Sequence, residues 1–250
     1  MSDLKKTDLE GLDEKFLHVD PLEKQYRKSI SEAPGVTESL EKHKTALLVI
    51  DLQYLDAAPG FGVFAEASNS AVPEEAQEYY FTRLHHVVLP NVRKLQDRFR
   101  DADMEVIHTR IMSITQDGRE RSPGHKRLNL YAAPGSKEAE FLPEIAPKGD
   151  EIIINKTASG VFNSTNIEYL LRNLDITGLF ICGVYTNECV STTVRDACDL
   201  GFYTTLINDA CATVTPELHN ATIQTIKDRY ARVMTTEDAV KEIKRVVHVE

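Results

Sequence analysis

No apolar run in this sequence approaches the roughly 20 residues that a membrane-spanning helix needs. Residues 1–6 are charged and lack the apolar stretch of a signal peptide. The four cysteines, Cys182, Cys189, Cys198 and Cys211, lack the paired spacing of a metal site. We therefore expect a cytoplasmic protein whose thiols are reduced.

The sequence also lacks any block of consecutive lysine and arginine residues. Its formal net charge of −10 argues against a surface that binds nucleic acid. A chain of 250 residues with 42% hydrophobic and 27% charged residues has the composition of an ordinary globular protein. We expect a small-molecule substrate, and neither a nucleic-acid nor a membrane partner.

Residues 1–43 are rich in Lys, Glu and Asp and carry only isolated apolar side chains. This composition is typical of a solvated N-terminal arm, or of an arm that packs on a neighbouring subunit. A regular order of strand and helix patterns begins at residue 44, and no segment repeats. We therefore expect residues 44–250 to form a single domain.

Short apolar runs alternate with helical patterns throughout that domain. Such alternation predicts an α/β protein, a doubly wound α/β/α three-layer sandwich around a mostly parallel sheet of about six strands. The predicted strands are residues 45–53, 104–110, 151–156, 179–184, 202–207 and 232–234. The predicted helices are residues 73–100 with a bend at Pro90, 166–173, 188–200, 216–230, and a last helix capped by Thr235 or Thr236.

Cys189 lies just beyond the fourth predicted strand, in the first turn of the helix predicted for residues 188–200. Unpaired backbone N–H groups and the positive end of the helix dipole favour an anion at such a position. We therefore expect this thiol to ionise more readily than a free cysteine. The alternative is a small buried side chain without chemistry, as most free cysteines are.

Two other predicted strands end in charged residues, Asp51 and Lys156. Because the carboxyl ends of parallel strands lie along one edge of a sheet, both can meet Cys189 there. The three side chains form a coherent chemical set, in which a thiolate attacks a carbonyl, a carboxylate transfers the proton and an ammonium holds the charges. Asp51 could instead merely cap the next segment.

The chain from about residue 44 to residue 243 resembles the isochorismatase-like cysteine hydrolases. The motifs that carry the resemblance are LVIDLQ at 48–53, VIHTR at 106–110, NKTASGVFNST at 155–165, GVYTNECV at 183–190 and NDACAT at 208–213. The resemblance implies that Asp51, Lys156 and Cys189 form a catalytic triad. It also implies a cis peptide bond between Val184 and Tyr185, and an oxyanion hole made by the backbone N–H groups of Tyr185 and Cys189.

Departures from the family pattern narrow the expected activity. Nicotinamidases of that family carry an Asp-x-His pair and further histidines for a metal, and residues 109–114 contain no such pair. We therefore expect no metal and no other cofactor. Isochorismatases proper cleave a vinyl ether without a nucleophilic cysteine, whereas this chain has one. The FNST string at 162–165 is similar to ureidoacrylate, biuret and N-carbamoylsarcosine amidohydrolases.

We expect a cysteine-dependent amidohydrolase that cleaves a C–N bond of a small carbamoyl, ureido or linear amide substrate. The reaction would pass through a thioester and release ammonia or an amine. The alternatives are an isochorismatase-like ether hydrolase and a non-catalytic or redox α/β module. Family resemblance also suggests a homo-oligomer, either a dimer or a tetramer. The expected substrate-binding residues are Gln53, Tyr54, Phe61, Arg110, Phe162, Asn163 and Thr186.

Overall fold

A six-stranded sheet, parallel throughout, forms the centre of the computed structural model, which describes residues 22–66 and 70–247. The strand order is β3-β2-β1-β4-β5-β6, with helices on both sides of the sheet. The predicted three-layer architecture is therefore confirmed. The strands are β1 (Thr45–Ile50), β2 (Val106–Ile111), β3 (Ile152–Lys156), β4 (Gly178–Val184), β5 (Tyr203–Ala212) and β6 (Arg232–Met234).

Helices connect the strands and cover both faces. No helix in the described ranges is long and apolar enough to cross a membrane. The helices before β2 are α1 (Glu23–Ser29), α2 (Pro34–Glu41), α3 (Tyr54–Ala57), α4 (Glu74–Arg83) and α5 (Leu89–Asp101). Those that follow are α6 (Pro123–Arg127), α7 (Val161–Ser164), α8 (Ile167–Asn173), α9 (Ser191–Asp199), α10 (Pro216–Ile226) and α11 (Thr236–Val246).

β1 and β4 lie side by side at the middle of the sheet, and all their residues are buried. Helices on both faces explain why each strand reads as an unbroken apolar run rather than an alternating one. The chain winds outward from β1 through β2 to β3, and from β4 through β5 to β6. The carboxyl ends of β1 and β4 therefore flank the point where the winding reverses, which is where α/β proteins bind ligands.

β5 is longer than its predicted extent of residues 202–207 and continues to Ala212. The pairing of β4 with β5 shifts in register between Ile181 and Gly183, so Gly183 pairs with Cys211. Such an irregularity lets a strand absorb extra residues and continue. The polar pair Asn208 and Asp209 marks this irregularity and not the end of the strand.

The helical segment predicted for residues 73–100 is divided into α4, one wide π-type turn (Leu84–Val88) and α5. Pro90 follows this turn directly. Proline lacks the N–H that an α-helix requires and its ring crowds the carbonyl four residues earlier. The wide turn relieves that conflict while the segment stays helical.

Helix α2, which lies within the predicted N-terminal arm, packs on the domain. Val36 and Leu40 are buried, and Leu40 belongs to the main hydrophobic core. Their spacing of four residues places both on one face of the helix. The hydroxyl of Ser31 also donates a hydrogen bond to Asp228 of the same chain. Residues 1–21 of the predicted arm lie outside the described residues.

Candidate active site

Asp51, Lys156 and Cys189 meet at the carboxyl edge of the sheet. Lys156 Nζ lies 2.8 Å from Asp51 Oδ2 and 3.3 Å from Cys189 Sγ. Asp51 and Lys156 are completely buried, and Cys189 is 4% exposed. Because β2 separates β3 from β1, the long side chain of Lys156 has to cross one strand to reach the other two groups.

Asp51 follows β1 in a left-handed backbone conformation with a φ of 52°. Few residues other than glycine adopt this region, although aspartate tolerates it better than most. Its backbone N–H donates to the carbonyl of Thr109 at 3.1 Å, and the Thr109 hydroxyl donates to Asp51 Oδ1 at 2.8 Å. Thr109 therefore orients the carboxylate so that the other oxygen faces Lys156.

Lys156 has three acceptors for the three N–H bonds of its ammonium group. They are Asp51, Cys189 and the carbonyl of Ala158, which lies 2.9 Å from Nζ. Burial opposes the charged form, but the negative charge of Asp51 outweighs it and raises the pKa of Lys156 above its usual value. This side chain is therefore a permanently charged ammonium at neutral pH.

Cys189 lies in a wide π-type turn (Thr186–Val190) that precedes α9, and not in the first turn of an α-helix. Burial raises the pKa of the Cys189 thiol; Lys156 lowers it, while Asp51 raises it further. The prediction of an easily ionised thiol is therefore wrong. The resting thiol keeps its proton, and an adjacent base has to remove it during attack.

The peptide bond between Val184 and Tyr185 is cis, and it joins β4 to the turn that carries Cys189. The buried Tyr185 ring holds this junction from the side. Its hydroxyl donates to the carbonyl of Asp56 at 3.0 Å, and the Tyr80 hydroxyl donates to the same carbonyl at 2.7 Å. Two aromatic side chains thus tie this junction to the loop after β1.

A cavity of about 190 Å³ lies against Cys189 and Tyr185. It is smaller than the roughly 300 Å³ or more of a typical drug-sized ligand pocket, which suits a compact molecule. Its apolar lining includes Ile111, Val72, Leu128, Leu130 and Leu218. Its polar lining includes Asp56, His125, Ser159, Asn187, Glu188 and Thr213.

A larger cleft of about 570 Å³ opens at the other edge of the sheet, beside the amino ends of β2 and β3. Its lining residues, which lie between 100 and 106 and between 148 and 152, include no cysteine, serine or threonine. Of the two, only the smaller cavity is lined by a thiol, that of Cys189.

The sequence model of the family described as the isochorismatase domain matches residues 45–238. This chain belongs to the isochorismatase family. The match covers all six strands and the three side chains that meet at the sheet edge. Proteins of this family are hydrolases, and some relatives of this chain are named as amidohydrolases.

Individual relatives agree with the family assignment. The uncharacterized isochorismatase family protein YwoC of Bacillus subtilis (strain 168) is 29% identical over 213 residues, covering 83% of this chain and 98% of YwoC. Ureidoacrylate amidohydrolase RutB of Acinetobacter baylyi is 26% identical over 218 residues, covering 80% of this chain and 84% of RutB. A crystal structure of a cysteine hydrolase from Pseudomonas syringae superposes with a TM-score of 0.65 at 22% identity, covering 82% and 94% of the two chains.

The seven predicted substrate-binding residues of this isochorismatase-family chain are absent from the cavity lining within the described residues. Gln53 is fully buried, and its side chain connects neighbouring segments through hydrogen bonds. Its amide nitrogen donates to the carbonyls of Ile111 and Glu138, and its oxygen accepts from the Ile111 N–H at 2.6 Å. Two of these bonds join Gln53 to β2 and the third joins it to the segment around Glu138, so its amide group is fully engaged within the protein.

Arg110 is also engaged within the protein. Its guanidinium donates to Asn155 Oδ1 at 2.7 Å and to the Ala139 carbonyl at 2.9 Å, and it lies over the ring of Phe141. Arg110 and the buried Ile111 lie on opposite faces of β2, because successive side chains alternate along a strand. The cavity contacts Ile111, and this alternation turns Arg110 away from it.

The other predicted wall residues pack elsewhere. The rings of Tyr54 and Phe61 pack edge to face with their centroids 5.6 Å apart, and the rings of Phe162 and Phe202 have centroids 5.9 Å apart. Asn163 is exposed to solvent. These placements result from loop and helix packing, which the local sequence does not reveal.

Thr186 does not line the cavity; it stabilises the turn that carries Cys189 (Thr186–Val190). Its hydroxyl lies 2.9 Å from Nδ1 of His219, whose Nε2 lies 2.7 Å from Asn208 Oδ1. Burial and the nearby Arg83 lower the pKa of His219 to about 4. A neutral imidazole thus links α10 and β5 to the turn that holds Cys189.

Asp56 and His125 line the cavity and were not predicted from the sequence. Both are at least 95% buried, and Asp56 Oδ2 and His125 Nδ1 have no hydrogen-bond partner in the described part of the chain. Burial and the Asp51 carboxylate raise the pKa of Asp56 well above its usual value. Burial and the charge of Lys156 lower the pKa of His125 to about 4. The His125 imidazole is therefore neutral at neutral pH, and the environment of Asp56 favours its protonated form.

Sequence signals for these two residues are weak. Asp56 lies in an irregular stretch where an aspartate usually faces water, and His125 follows a Pro-Gly pair typical of an exposed turn. Among the described residues, no three His, Cys, Asp or Glu side chains are grouped to hold a metal ion.

Proposed function

We propose that this protein is a cysteine-dependent amidohydrolase that cleaves a C–N bond of a small amide, carbamoyl or ureido compound. One observation carries the proposal. Beside a small cavity, Lys156 Nζ lies 3.3 Å from Cys189 Sγ and 2.8 Å from Asp51 Oδ2. The arrangement places a nucleophile, a proton acceptor and a fixed positive charge around one point.

The first half of the reaction forms a thioester. The Asp51 carboxylate takes the thiol proton as Cys189 Sγ attacks the substrate carbonyl carbon, and the carbonyl π electrons move to oxygen. The tetrahedral intermediate then re-forms the C=O bond and breaks the C–N bond. The leaving nitrogen takes the proton back from Asp51 and departs as ammonia or an amine.

The second half of the reaction releases the acyl group. Asp51 accepts a proton from a water molecule as its oxygen attacks the thioester carbon. Collapse of the second tetrahedral intermediate breaks the C–S bond, and the sulfur recovers the proton from Asp51. A carbamoyl product leaves as carbamic acid, which decomposes to ammonia and carbon dioxide.

Lys156 and two backbone N–H groups supply the charge stabilisation in this scheme. The ammonium group stays charged throughout and stabilises the thiolate that develops as the proton moves to Asp51. The N–H groups of Tyr185 and Cys189 donate to the oxyanion in both tetrahedral intermediates. Oxyanion-hole donors of this kind contribute about 3–4 kcal/mol each at the transition state.

Two further considerations support C–N cleavage. RutB of Acinetobacter baylyi, whose sequence aligns with most of this chain, is named as an amidohydrolase. In addition, a buried thiol beside a carboxylate is suited to forming a thioester with a carbonyl compound, whereas hydrolysis of a vinyl ether has no use for a nucleophilic sulfur.

The test is a Cys189→Ala variant assayed for ammonia release on a panel of simple amides, carbamoyl compounds and ureides. We expect turnover to fall at least about 1,000-fold, because the attacking atom is removed while the fold is kept. Cys198→Ala is the matched control, since Cys198 is a half-buried thiol on α9 outside the cavity lining. It should retain wild-type activity.

Mass spectrometry of the quenched reaction adds a second readout, the acyl adduct on Cys189. An active Cys189→Ala enzyme would disprove the mechanism. Loss of a vinyl ether without ammonia release would favour the ether hydrolase instead. A wild-type protein that turns over neither class would favour the non-catalytic or redox module.

A further inference from the structure

The cavity beside Cys189 contains no cationic side chain among the described residues that line it. Its two ionisable acids are Asp56, which is buried, and Glu188, which is exposed. The residues at 67–69, which are Ala, Ser and Asn, add no charge to the neighbouring loop. An anion that enters therefore meets the carboxylate of Glu188 and, among the lining residues that the structure describes, no compensating charge.

Lys156 does not supply the missing positive charge. Its ammonium group is already paired with the Asp51 carboxylate and hydrogen-bonded to Cys189 Sγ and the Ala158 carbonyl. The charge of Lys156 is also paired with that of Asp51 at 2.8 Å, and the two together present almost no net charge to the cavity.

The nearest arginines are occupied as well. Arg121 donates to the carbonyls of Gly118 and Leu130, and its guanidinium lies over the ring of Tyr131. Arg83 donates to the carbonyl oxygens of Cys211 and Asn208. Turning either one into the cavity would break two hydrogen bonds to backbone carbonyls.

Two residues that line this cavity carry buried polar atoms without partners in the part of the chain that the structure describes, which points instead to an uncharged ligand. Asp56 Oδ2 and His125 Nδ1 have no partner within the described residues, although each side chain is at least 95% buried. Buried polar atoms of native proteins nearly always have partners, so an unpaired pair in one cavity indicates groups that a ligand satisfies. A protonated carboxyl offers an O–H donor, and a neutral imidazole offers one donor and one acceptor.

We propose that the site takes a small uncharged amide or ureide, hydrogen-bonded by Asp56 and His125, and discriminates against substrates that carry a carboxylate. This inference rests on the proposed amidohydrolase function and narrows its substrate class. It separates this chain from RutB, because ureidoacrylate is itself a carboxylate. The cavity volume of about 190 Å³ agrees with a substrate of few heavy atoms.

The test uses two pairs of compounds that differ only in a carboxylate or carboxamide group: succinamate with succinamide, and N-carbamoylglycine with N-carbamoylglycinamide. The measured rate for succinamide is divided by two before the comparison, because the molecule has two equivalent amide groups. We expect kcat/KM for the uncharged member of each pair to exceed that of its partner by about tenfold or more, since a carboxylate would be buried without a partner.

Binding to Cys189→Ala, measured by titration calorimetry, tests the same preference without turnover. The uncharged member should again bind about tenfold more tightly. Equal or tighter binding of the carboxylates would overturn the proposal, and so would failure of both members of each pair to bind. A preference for the cationic analogue β-alaninamide over succinamide would overturn it too.

Variants identify the residues responsible. Glu188→Gln should raise kcat/KM for the carboxylates relative to their uncharged partners by about threefold or more, because the repelling charge is removed. Glu168→Gln on α8 is the matched control; its carboxylate lies on an exposed helix surface and pairs with Arg172. An unchanged ratio in Glu188→Gln would count against the proposed charge discrimination.

Asp56→Leu should weaken binding of succinamide about tenfold, and Asp56→Asn, which keeps a donor and an acceptor, should recover part of that loss. Thermal unfolding verifies that each variant is folded. If the uncharged compounds bind selectively but no amide releases ammonia, the proposed activity fails and the proposed selectivity stands. If the carboxylates are hydrolysed faster, the activity stands and the selectivity fails.

Discussion

At the scale of single residues, the site is a pair of opposite charges with a neutral thiol beside it. Asp51 and Lys156 are both fully buried and only 2.8 Å apart. Each charge offsets the cost of burying the other, since an isolated charge at that depth would be far more costly. The thiol of Cys189 is held protonated by burial and by Asp51, so the carboxylate acts both as the base and as a restraint on the resting thiol.

Lys156→Met should destabilise the fold by about 3–5 kcal/mol, because it leaves the Asp51 carboxylate buried without a partner. The double variant Asp51→Asn/Lys156→Met should recover most of that loss while remaining inactive, since neither charge is then left unpaired. Urea denaturation of the two variants and the wild type measures the difference. A double variant less stable than Lys156→Met would contradict the charge-pair account.

Asp51→Asn should make Cys189 more reactive toward iodoacetamide at pH 7–8 while abolishing turnover. The carboxylate raises the pKa of Cys189, and its removal leaves the opposing effect of Lys156. Alkylation rates across pH, read by mass spectrometry at Cys189 with Cys198 as an internal reference, measure this effect. Slower alkylation of Cys189 in the variant would show that Asp51 does not restrain the thiol.

At the scale of elements, the contact of β1 with β4 positions the site. Ile50 at the end of β1 pairs with Gly183 near the end of β4, so Asp51 and the turn carrying Cys189 emerge side by side. Gly183 has a φ of 120°, and a Cβ placed there would lie 2.1 Å from the Ile50 carbonyl oxygen. Only a residue without a side chain permits this approach.

Gly183→Ala should therefore cost about 3 kcal/mol or more in stability, because both the backbone conformation and the β1 contact oppose a side chain. It should also lower activity by displacing Asp51. Gly201→Ala is the matched control: its φ is 85°, but nothing lies within 4 Å of the added Cβ. It should cost only about 1 kcal/mol. Equal losses in thermal unfolding would mean that the close approach to Ile50 has no energetic role.

At the scale of the whole molecule, buried neutral histidines couple the fold to pH. His125 and His219 each have a pKa lowered to about 4, by burial and by neighbouring positive charges. A histidine lowered from its usual value of about 6.5 contributes stability above pH 6.5 and loses it as the pH falls toward 4, because only the unfolded chain takes up the proton.

The free energy of unfolding should accordingly fall by about 1–3 kcal/mol per buried histidine between pH 7 and pH 4.5. His219→Asn should be less stable at pH 7 but lose less stability on acidification. The exposed His86→Asn is the control and should follow the wild type. Urea denaturation at several pH values provides the data, and parallel curves for wild type and His219→Asn would refute this linkage.

The homo-oligomer implied by family resemblance stays a prediction at this scale. Size-exclusion chromatography with light scattering checks it directly. We expect a mass of two or four chains of 28.1 kDa each. A monomer at micromolar concentration would remove the suggestion that the N-terminal arm contacts a neighbouring subunit.

The sequence alone predicted a mostly parallel sheet of about six strands and the three residues that meet at one edge of it. Those features follow from local patterns, because a strand covered on both faces is continuously apolar and its carboxyl end is marked by the first polar residue. Asp51 and Lys156 were recognisable for this reason, and Cys189 because it follows a strand directly.

Only the tertiary structure decided the cavity wall and the protonation of the thiol. Gln53 and Arg110 are polar residues near strand ends, yet the side chains of both form hydrogen bonds with other groups of the protein. Asp56 and His125 became part of the wall through packing of two short helices, α3 and α6, whose sequences carry no regular pattern. The physical reason is that burial shifts pKa values and decides which polar groups are left without a hydrogen-bond partner. Burial depends on residues that are distant in the chain, so no local stretch of sequence encodes it.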